Sequence, residues 1–382
     1  MNRLFFELIR VAIGAQDDLS YAPSHEEWRT LYALAEKQAL TGVCFVGIQR
    51  LKKLGHDISV DVYMKWLAMA AKIQQRNELM NRRCLELQRL LAKEGLRSSI
   101  LKGQGVARLY RMRSEELGMR SDFQLGFYRQ CGDIDVWVDG GMESVLRWCR
   151  ERYGDVEYDY INAHVPMFED VEVEMHWRVG AMTNLFRNRR LQRWLEREET
   201  KVMILGGKAD LKPSETLETS ETTITVPTLE FNAFYLMLHC YHHVFESGLG
   251  LRQLMDYYFL LMARNNLNLD LNVNKLFREF GMERFVRAVM WIMQEVFGLE
   301  RERMLCEPDE KEGRYILAEV MEGGNFGHHD ERIRKVGKGK WQSVFATLQH
   351  AMHVLRRYPS EALWMPVWMA YHFIWKRTLK TI

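Results

Sequence analysis

At 382 residues, 47% hydrophobic and 12% aromatic, the chain is long enough for a large core of two or three modules and too apolar to be disordered. Its six cysteines (Cys44, Cys84, Cys131, Cys149, Cys240, Cys306) are scattered with no Cys-x-x-Cys pair, which fits free thiols in a reducing cytoplasm better than a disulfide framework. Only 7 prolines interrupt long amphipathic stretches, so a mostly helical protein is expected.

The first residues are apolar, but Arg3, Glu7 and Arg10 recur too often for a signal-peptide core and predict an amphipathic helix. No uninterrupted apolar run approaches the roughly 20 residues that span a bilayer, so a cytoplasmic protein without a transmembrane segment is expected. Residues 1–95 read as a helical region: Glu26–Leu40, Val43–Lys53, then Val60–Lys93, which lacks proline and glycine. A β-rich core over residues 96–226 begins with a strand at Ser98–Leu101, a glycine turn at Gly103-Gln104-Gly105 and a helix suggested by Val106–Tyr110. It continues with a strand at Asp133–Val138, a turn at Asp139-Gly140-Gly141, a helix at Met142–Tyr153 and strand-like runs near Val156–Tyr160 and Val171–Val179. A helix at Leu185–Arg197 precedes short strands near Val202–Leu205 and Thr222–Val226, with residues 208–223 as a loop or solvent-facing hairpin. Pro227-Thr228 with Glu230 marks a helix start, and residues 227–382 read as a helical domain.

The chemistry concentrates around Asp133 and Asp135. Alternate residues of a strand share a face and successive residues rise about 3.3 Å, so these carboxylates project together roughly 6.6 Å apart while Ile134, Val136 and Val138 face a core. Such a pair suits ions about 3.5 to 4 Å apart, the layout of two-metal phosphoryl transfer, and its hard oxygens suit magnesium or manganese rather than zinc. The competing reading is a solvated strand edge. Against it, the apolar alternation buries the other face, where unneutralised acids are costly unless solvent or a cation meets them.

Glu172, Glu174 and His176 share one face of the later strand, so spacing alone leaves open which acid completes the site. His176 either orients a carboxylate or phosphate or is a satisfied structural histidine. Lys102, at a strand end, offers a point charge to a phosphate or simply snorkels. Arg129 matches a phosphate or carboxylate bidentately, or pins its loop by pairing with one of the acids. The other arginines between Gly103 and Asp133 (Arg108, Arg111, Arg113, Arg120) alternate with Glu115, Glu116 and Asp122 and read as a solvated connection. His239, His242 and His243 fall within one helical turn, but no Glu stands inside the pair. Packing or hydrogen bonding from a helix face is therefore expected over metal ligation.

Taken together, Lys102-Gly103, Arg129 shortly before Gly132-Asp133-Ile134-Asp135, Glu174-Met175-His176-Trp177, and a His-rich helix followed by Leu251-Arg252 and Asp256 resemble the uncharacterised branch of the DNA polymerase beta-like nucleotidyltransferase superfamily. The motifs run from about residue 96 to 260. The resemblance implies an α+β fold, with a small mixed sheet flanked by large N- and C-terminal helical regions. It further implies magnesium or manganese ions on Asp133, Asp135 and Glu174, and a nucleoside triphosphate held near Lys102, Gly103, Gln104 and Arg129. The expected activity is transfer of a nucleoside monophosphate to an acceptor that the sequence does not identify. Better-known members carry Gly-Ser at the turn, where this chain has Gly103-Gln104, so a catalytically inactive nucleotide- or protein-binding module is the alternative.

Near the end, residues 331–382 hold ten Lys or Arg against two acids, clustered at Arg332–Lys340, Arg356-Arg357 and Lys376–Lys380 around the aromatic run Leu363–Trp375. Docking on RNA or an anionic membrane is one reading. A buried terminal helix with solvated basic ends is favoured, with Trp364, Trp368 and Trp375 packed into the helical module.

Overall fold

The computed structural model describes residues 1–112, 123–204, 208–210, 223–246, 248–263, 269–325, 352 and 355–379. Four helices come first: α1 (Asn2–Ile13), α2 (His25–Lys37), α3 (Thr41–Lys53) and α4 (Val60–Lys93). Ser24 starts α2 with a capping box, accepting from the Glu27 amide while the Glu27 carboxylate accepts from the Ser24 amide. α1 departs from a simple amphipathic helix. Its Glu7 is 3% exposed and accepts from the Ser20 amide, so this acid is a buried cap of a loop.

The sheet has five strands in the order β1-β4-β7-β6-β5: β1 (Ser98–Ile100), β4 (Ile134–Val138), β7 (Val173–His176), β6 (Asn162–Val165) and β5 (Glu157–Tyr158). β4 and β7 are parallel and every other pairing in this sheet is antiparallel, giving the mixed sheet of an α+β fold. Between β1 and β4 come the single turn α5 (Gln104–Ala107), the paired dipeptides β2 (Arg111–Met112) and β3 (Phe123–Gln124), and a 3-10 turn at Leu125–Tyr128. α6 (Gly141–Tyr153) links β4 to β5, entered through Gly140 and Gly141 at φ 107 and 73°. The expected strand at Val156–Tyr160 shortens to two residues, and β6 was not anticipated.

One face of the sheet is apolar. Ile134, Val136, Val138, Val173 and Met175 pack against Met80, Cys84 and Leu87 of α4 and Val145, Leu146 and Cys149 of α6. The other face carries Asp135, Glu174 and His176 toward the C-terminal helices. Those helices are α8 (Leu229–Glu246), α9 (Leu251–Ala263), α10 (Leu269–Glu279), α11 (Glu283–Phe297), α12 (Glu310–Gly323) and α13 (Pro359–Leu379). Thr228 caps α8, its hydroxyl accepting from the Phe231 amide. One apolar cluster joins both helical regions, with Phe5, Trp28 and Phe45 in it beside Phe285, Val289 and Phe297. Ahead of α8, α7 spans Leu185–Ile204, so the strand expected at Val202–Leu205 is helical as far as Ile204. No glycine or proline interrupts the run before Gly206. A two-stranded ladder instead joins β8 (Lys208–Asp210) to β9 (Thr223–Thr225).

α4 positions the loops that precede the strands. The Asn77 amide donates to the carbonyls of Phe127 and Arg129 at 2.9 and 2.8 Å. Arg129, 5% exposed, then forms a bidentate pair with Asp256 of α9 at 2.6 and 2.7 Å, and the Tyr110 hydroxyl donates to the same carboxylate at 2.6 Å. This buried triad ties the sheet to the C-terminal helices.

α13 also departs from expectation. Trp368 meets Tyr160 edge-on at 5.2 Å, Trp375 meets Tyr160 at 5.3 Å and Tyr158 at 6.3 Å, and Trp364 meets Phe186 at 5.4 Å. The rings therefore cover the β5 edge of the sheet and α7 rather than the helical module alone. Arg332–Lys340 lie outside the described residues, while Arg357 pairs with buried Glu312 at 2.6 Å.

Two stability measurements follow from these contacts. Trp368→Ala is expected to cost about 3 kcal/mol in denaturant unfolding, because it empties a buried ring site, and to leave salt-dependent nucleic-acid binding unchanged. A variant with parental stability but lost RNA or liposome binding would make α13 a recognition surface. Arg129→Ala is expected to cost about 3–5 kcal/mol by stranding the Asp256 carboxylate, and Arg129→Met with Asp256→Leu to recover much of that. If the single variant is neutral, the triad does not hold the two regions together.

Candidate active site

Parallel pairing of β4 and β7 sets Asp135 directly opposite Glu174, and Trp137 opposite His176. With the period-2 alternation of strands, Asp135, Glu174 and His176 meet on one face. Each offers a ligand atom, and those atoms lie within 4.8 Å of one another, a donor set able to hold a divalent cation. Asp135 is 2% exposed, and one of its oxygens lies 3.1 Å from Lys102 Nζ and 2.9 Å from His176 Nε2. His176 Nε2 is also 3.4 Å from Glu174, and the Asn162 amide donates to Glu174 at 2.5 Å. Lys102 reaches the cluster because β1 ends beside β4 and Gly103 turns the chain at φ 58 and ψ −114°, in the left-handed half of the map that favours glycine. Gly105 is required for closeness: a Cβ there would lie 2.6 Å from the Ile100 carbonyl.

The electrostatics follow from burial against pairing. Burial opposes protonation of His176, but hydrogen bonds to Asp135 and Glu174 outweigh it and lift its pKa to about 9, so the ring is cationic at neutral pH. Burial also raises the Glu174 pKa, yet the His176 hydrogen bond and charge and the Lys102 charge bring it below the usual value. Asp133 is raised, first by the charge of Asp135 and then by burial. A cation between the two acids would relieve that repulsion.

These groups line a cavity of about 270 Å³ with Gly103, Arg129, Gly132, Asp133, Tyr235, His239, His242, His243, Arg252, Gln253 and Asp256 among its walls. The structure thus brings together Lys102, Gly103, Asp133, Asp135, Glu174 and His176. Asp133, half-buried just before β4, lies on the cavity wall but outside the compact donor set, in which His176 takes the third place.

Three expectations change. Arg129 lines the cavity, but its guanidinium is committed to Asp256, which is none of the acids considered as its partner. Gln104 turns away: its amide donates to Asn81 of α4, and it lines a separate small space beside Asn77 and Gly126. Glu172 is exposed and does not line the cavity. Of the insert arginines, Arg108 donates to the Gly105 carbonyl, while Arg113 and Arg120 lie outside the described residues.

Asn162 and Gln253 have no place in the sequence reading, and Arg252 and Asp256 enter it only as motif residues of the family resemblance, without a site role. Arg252 and Asp256 had a readable signal, two charges inside the apolar run Leu251–Leu261, which a buried helix tolerates only when they are paired. The histidines of α8, expected to pack or to bond along the helix, line the cavity, with His239 and His243 joined at 3.0 Å. Among the described residues no helix is long and apolar enough to cross a membrane.

Comparison with curated proteins and with solved structures gave no match. A family model described as an uncharacterised nucleotidyltransferase matches residues 24–298, which takes in α2 to α4, the whole five-stranded sheet and α8 to α11. With more than half of its length so matched, the chain belongs to this uncharacterised nucleotidyltransferase family.

Proposed function

We propose that the protein is a metal-dependent nucleotidyltransferase of the DNA polymerase beta-like superfamily, moving a nucleoside monophosphate from a nucleoside triphosphate to an acceptor. The observation that carries this reading is the in-register pair Asp135 and Glu174 on adjacent parallel strands, with Asp133 and the Lys102-Gly103 turn in the same cavity. Asp133, Asp135 and Glu174 fit a hard divalent cation, because their carboxylates line one cavity and the charge of Asp135 raises the Asp133 pKa when no ion lies between them.

Asp133, Asp135 and Glu174, with His176 beside them, would hold magnesium or manganese, which when bound neutralises charge on the transferring group and activates the attacking oxygen. Lys102, whose ammonium lies 3.1 Å from Asp135, would be free to contact the polyphosphate once an ion holds that acid. Gly103, with no side chain, lets the phosphates approach the backbone. The buried Arg129–Asp256 pair holds the loop before β4 against α9 on the cavity wall. In the transfer, the acceptor oxygen bonds to the α-phosphorus as the bond from that phosphorus to pyrophosphate breaks, and in-line displacement asks of the protein mainly positioning and charge neutralisation.

A second reading is a nucleotide-binding module without turnover. It is favoured by the Lys102 and His176 contacts to Asp135, which satisfy that acid without any ion, and by the absence of a serine at the turn. A thermal-shift screen of nucleoside triphosphates with and without magnesium, followed by pyrophosphate detection, separates the two. Both readings predict a ligand-dependent shift, worth about 2.7 kcal/mol at 100 times the dissociation constant, and only the first predicts pyrophosphate.

Asp133→Ala and Asp135→Ala are each expected to abolish metal-dependent turnover. Their stabilities should differ. The folded protein holds the Asp133 proton more tightly than the unfolded chain, so ionised Asp133 costs stability at neutral pH and its removal makes the metal-free protein firmer. Asp135→Ala leaves buried His176 and half-buried Lys102 without that partner and weakens the fold. Wild-type turnover in both variants would show that this strand is not the catalytic one. Glu174→Gln is expected to lower turnover far more than Glu172→Gln, and equal or reversed effects would remove Glu174 from the ligand set.

A further inference from the structure

The imidazoles of α8 have no part in the acid cluster, yet they face the same cavity. His239 and His243 stand one helical turn apart with Nε2 atoms 3.0 Å from each other and ring planes at 86°. An N–H···N hydrogen bond at that distance needs one nitrogen to donate and the other to accept, so at least one ring is neutral. A divalent transition metal would take such a pair through its lone pairs, and an anion would take it through N–H donors.

The surrounding charge decides between these ligands. Lys102 from the turn after β1, His176 from β7 and Arg252 from α9 present positive charge, with His242 and Tyr235 on α8 itself. Asp256 is taken up by Arg129 and Tyr110, and on the sheet side Asp135 and Glu174 are engaged by Lys102, His176 and Asn162, with Asp133 beside them. Burial, then Lys102 and the neighbouring histidines, hold His239 well below the ordinary histidine range, and burial, Lys102, His242 and Arg252 do the same to His243. The field at the pair is positive, which repels a dication and attracts an anion. Arg252 points its guanidinium along the same wall, anchored by donation to the Gln130 carbonyl at 2.9 Å.

We propose that His239 and His243, with Arg252, form an anion subsite on the helical wall of the cavity that receives the pyrophosphate end of the nucleotide. This rests on the nucleotidyl-transfer reading and adds to it a holder for the leaving group, distinct from the Gly103 turn. An entering polyphosphate cancels the positive field, so the imidazoles gain a proton as they bind it. Affinity for pyrophosphate therefore rises as pH falls toward the ordinary histidine range.

The test is calorimetric titration of inorganic pyrophosphate into full-length protein in chelator, in two buffers of different ionisation enthalpy. Wild type is compared with the His239→Gln/His243→Gln double variant. Wild type should take up more protons on binding than the double variant, in which only pyrophosphate's own ionisation changes, and the double variant should bind roughly ten- to hundredfold more weakly, as expected on losing charge-assisted hydrogen bonds. Should the double variant not fold, ¹⁵N imidazole spectra of wild type answer the same question: pyrophosphate should convert neutral ring signals to imidazolium. The proposal falls if wild type does not bind pyrophosphate, if the double variant binds it as tightly as wild type, or if the ring signals stay neutral. It also falls if zinc ion, titrated alone, binds wild type through these two rings. Magnesium-nucleotide binding is measured in parallel. Pyrophosphate binding that depends on the pair, in a protein that binds no nucleoside triphosphate, would keep the subsite and remove the transfer reading.

Discussion

The buried carboxylate of Asp135 is the constraint on which the site depends. At 2% exposure it cannot remain an uncompensated anion, and the fold supplies two cations, Lys102 from the turn after β1 on one side and His176 from β7 on the other. Those contacts fix more than one charge. They hold the β1 turn against β4, and they require the β4–β7 register that places Glu174 opposite Asp135, because a one-residue slip would bury the acids in the apolar layer of α4 and α6. On the proposed reading, an ion taking Asp135 would free Lys102 for a phosphate.

Around that cluster the helices act as a clamp built from both ends of the chain. α4 holds the loop before β4 through Asn77 and the glycine turn through Asn81 and Gln104, while Asp256 of α9 reaches back to Arg129. The cavity exists only because α8 and α9 lie over the polar face of the sheet, so residues from 102 to 256 share one wall. A five-stranded sheet with three acids on one face would otherwise expose them to water, where their mutual repulsion is weak and an ion is held poorly. A further cation of the wall, Arg252, has its pKa brought down to about 10 by burial first and by Arg129 next, a sign of how much positive charge gathers there.

Much of this was legible in the residues. The Ile134, Val136, Val138 alternation announces a strand with one buried face, and α4 runs from Val60 to Lys93 as its lack of glycine and proline implies. Gly140 and Gly141 take the positive φ that the turn needs. What stayed hidden depends on pairing between distant segments. Nothing local says that Arg129 belongs to Asp256, 127 residues on, because a guanidinium before an acidic strand suits a phosphate equally well. Gln104 beside a glycine reads as a phosphate contact, and only the passage of α4 shows that Asn81 takes its amide. β6 was missed because Asn162 and His164 break its apolar pattern, and they do so because both face Glu174. The α8 histidines read as packing residues, since a helix rich in Phe, Leu and Tyr gives no hint of which side meets a cavity.

The central claim is that Asp135 and Glu174 hold a divalent ion together with a nucleotide. It is tested most directly by titrating manganese into the protein with a non-hydrolysable nucleoside triphosphate analogue and following free manganese by electron paramagnetic resonance. Binding that appears only with the nucleotide present, and that is lost in Glu174→Gln, is the predicted result. Manganese bound equally well by that variant, or nucleotide bound with no uptake of manganese at all, would contradict it.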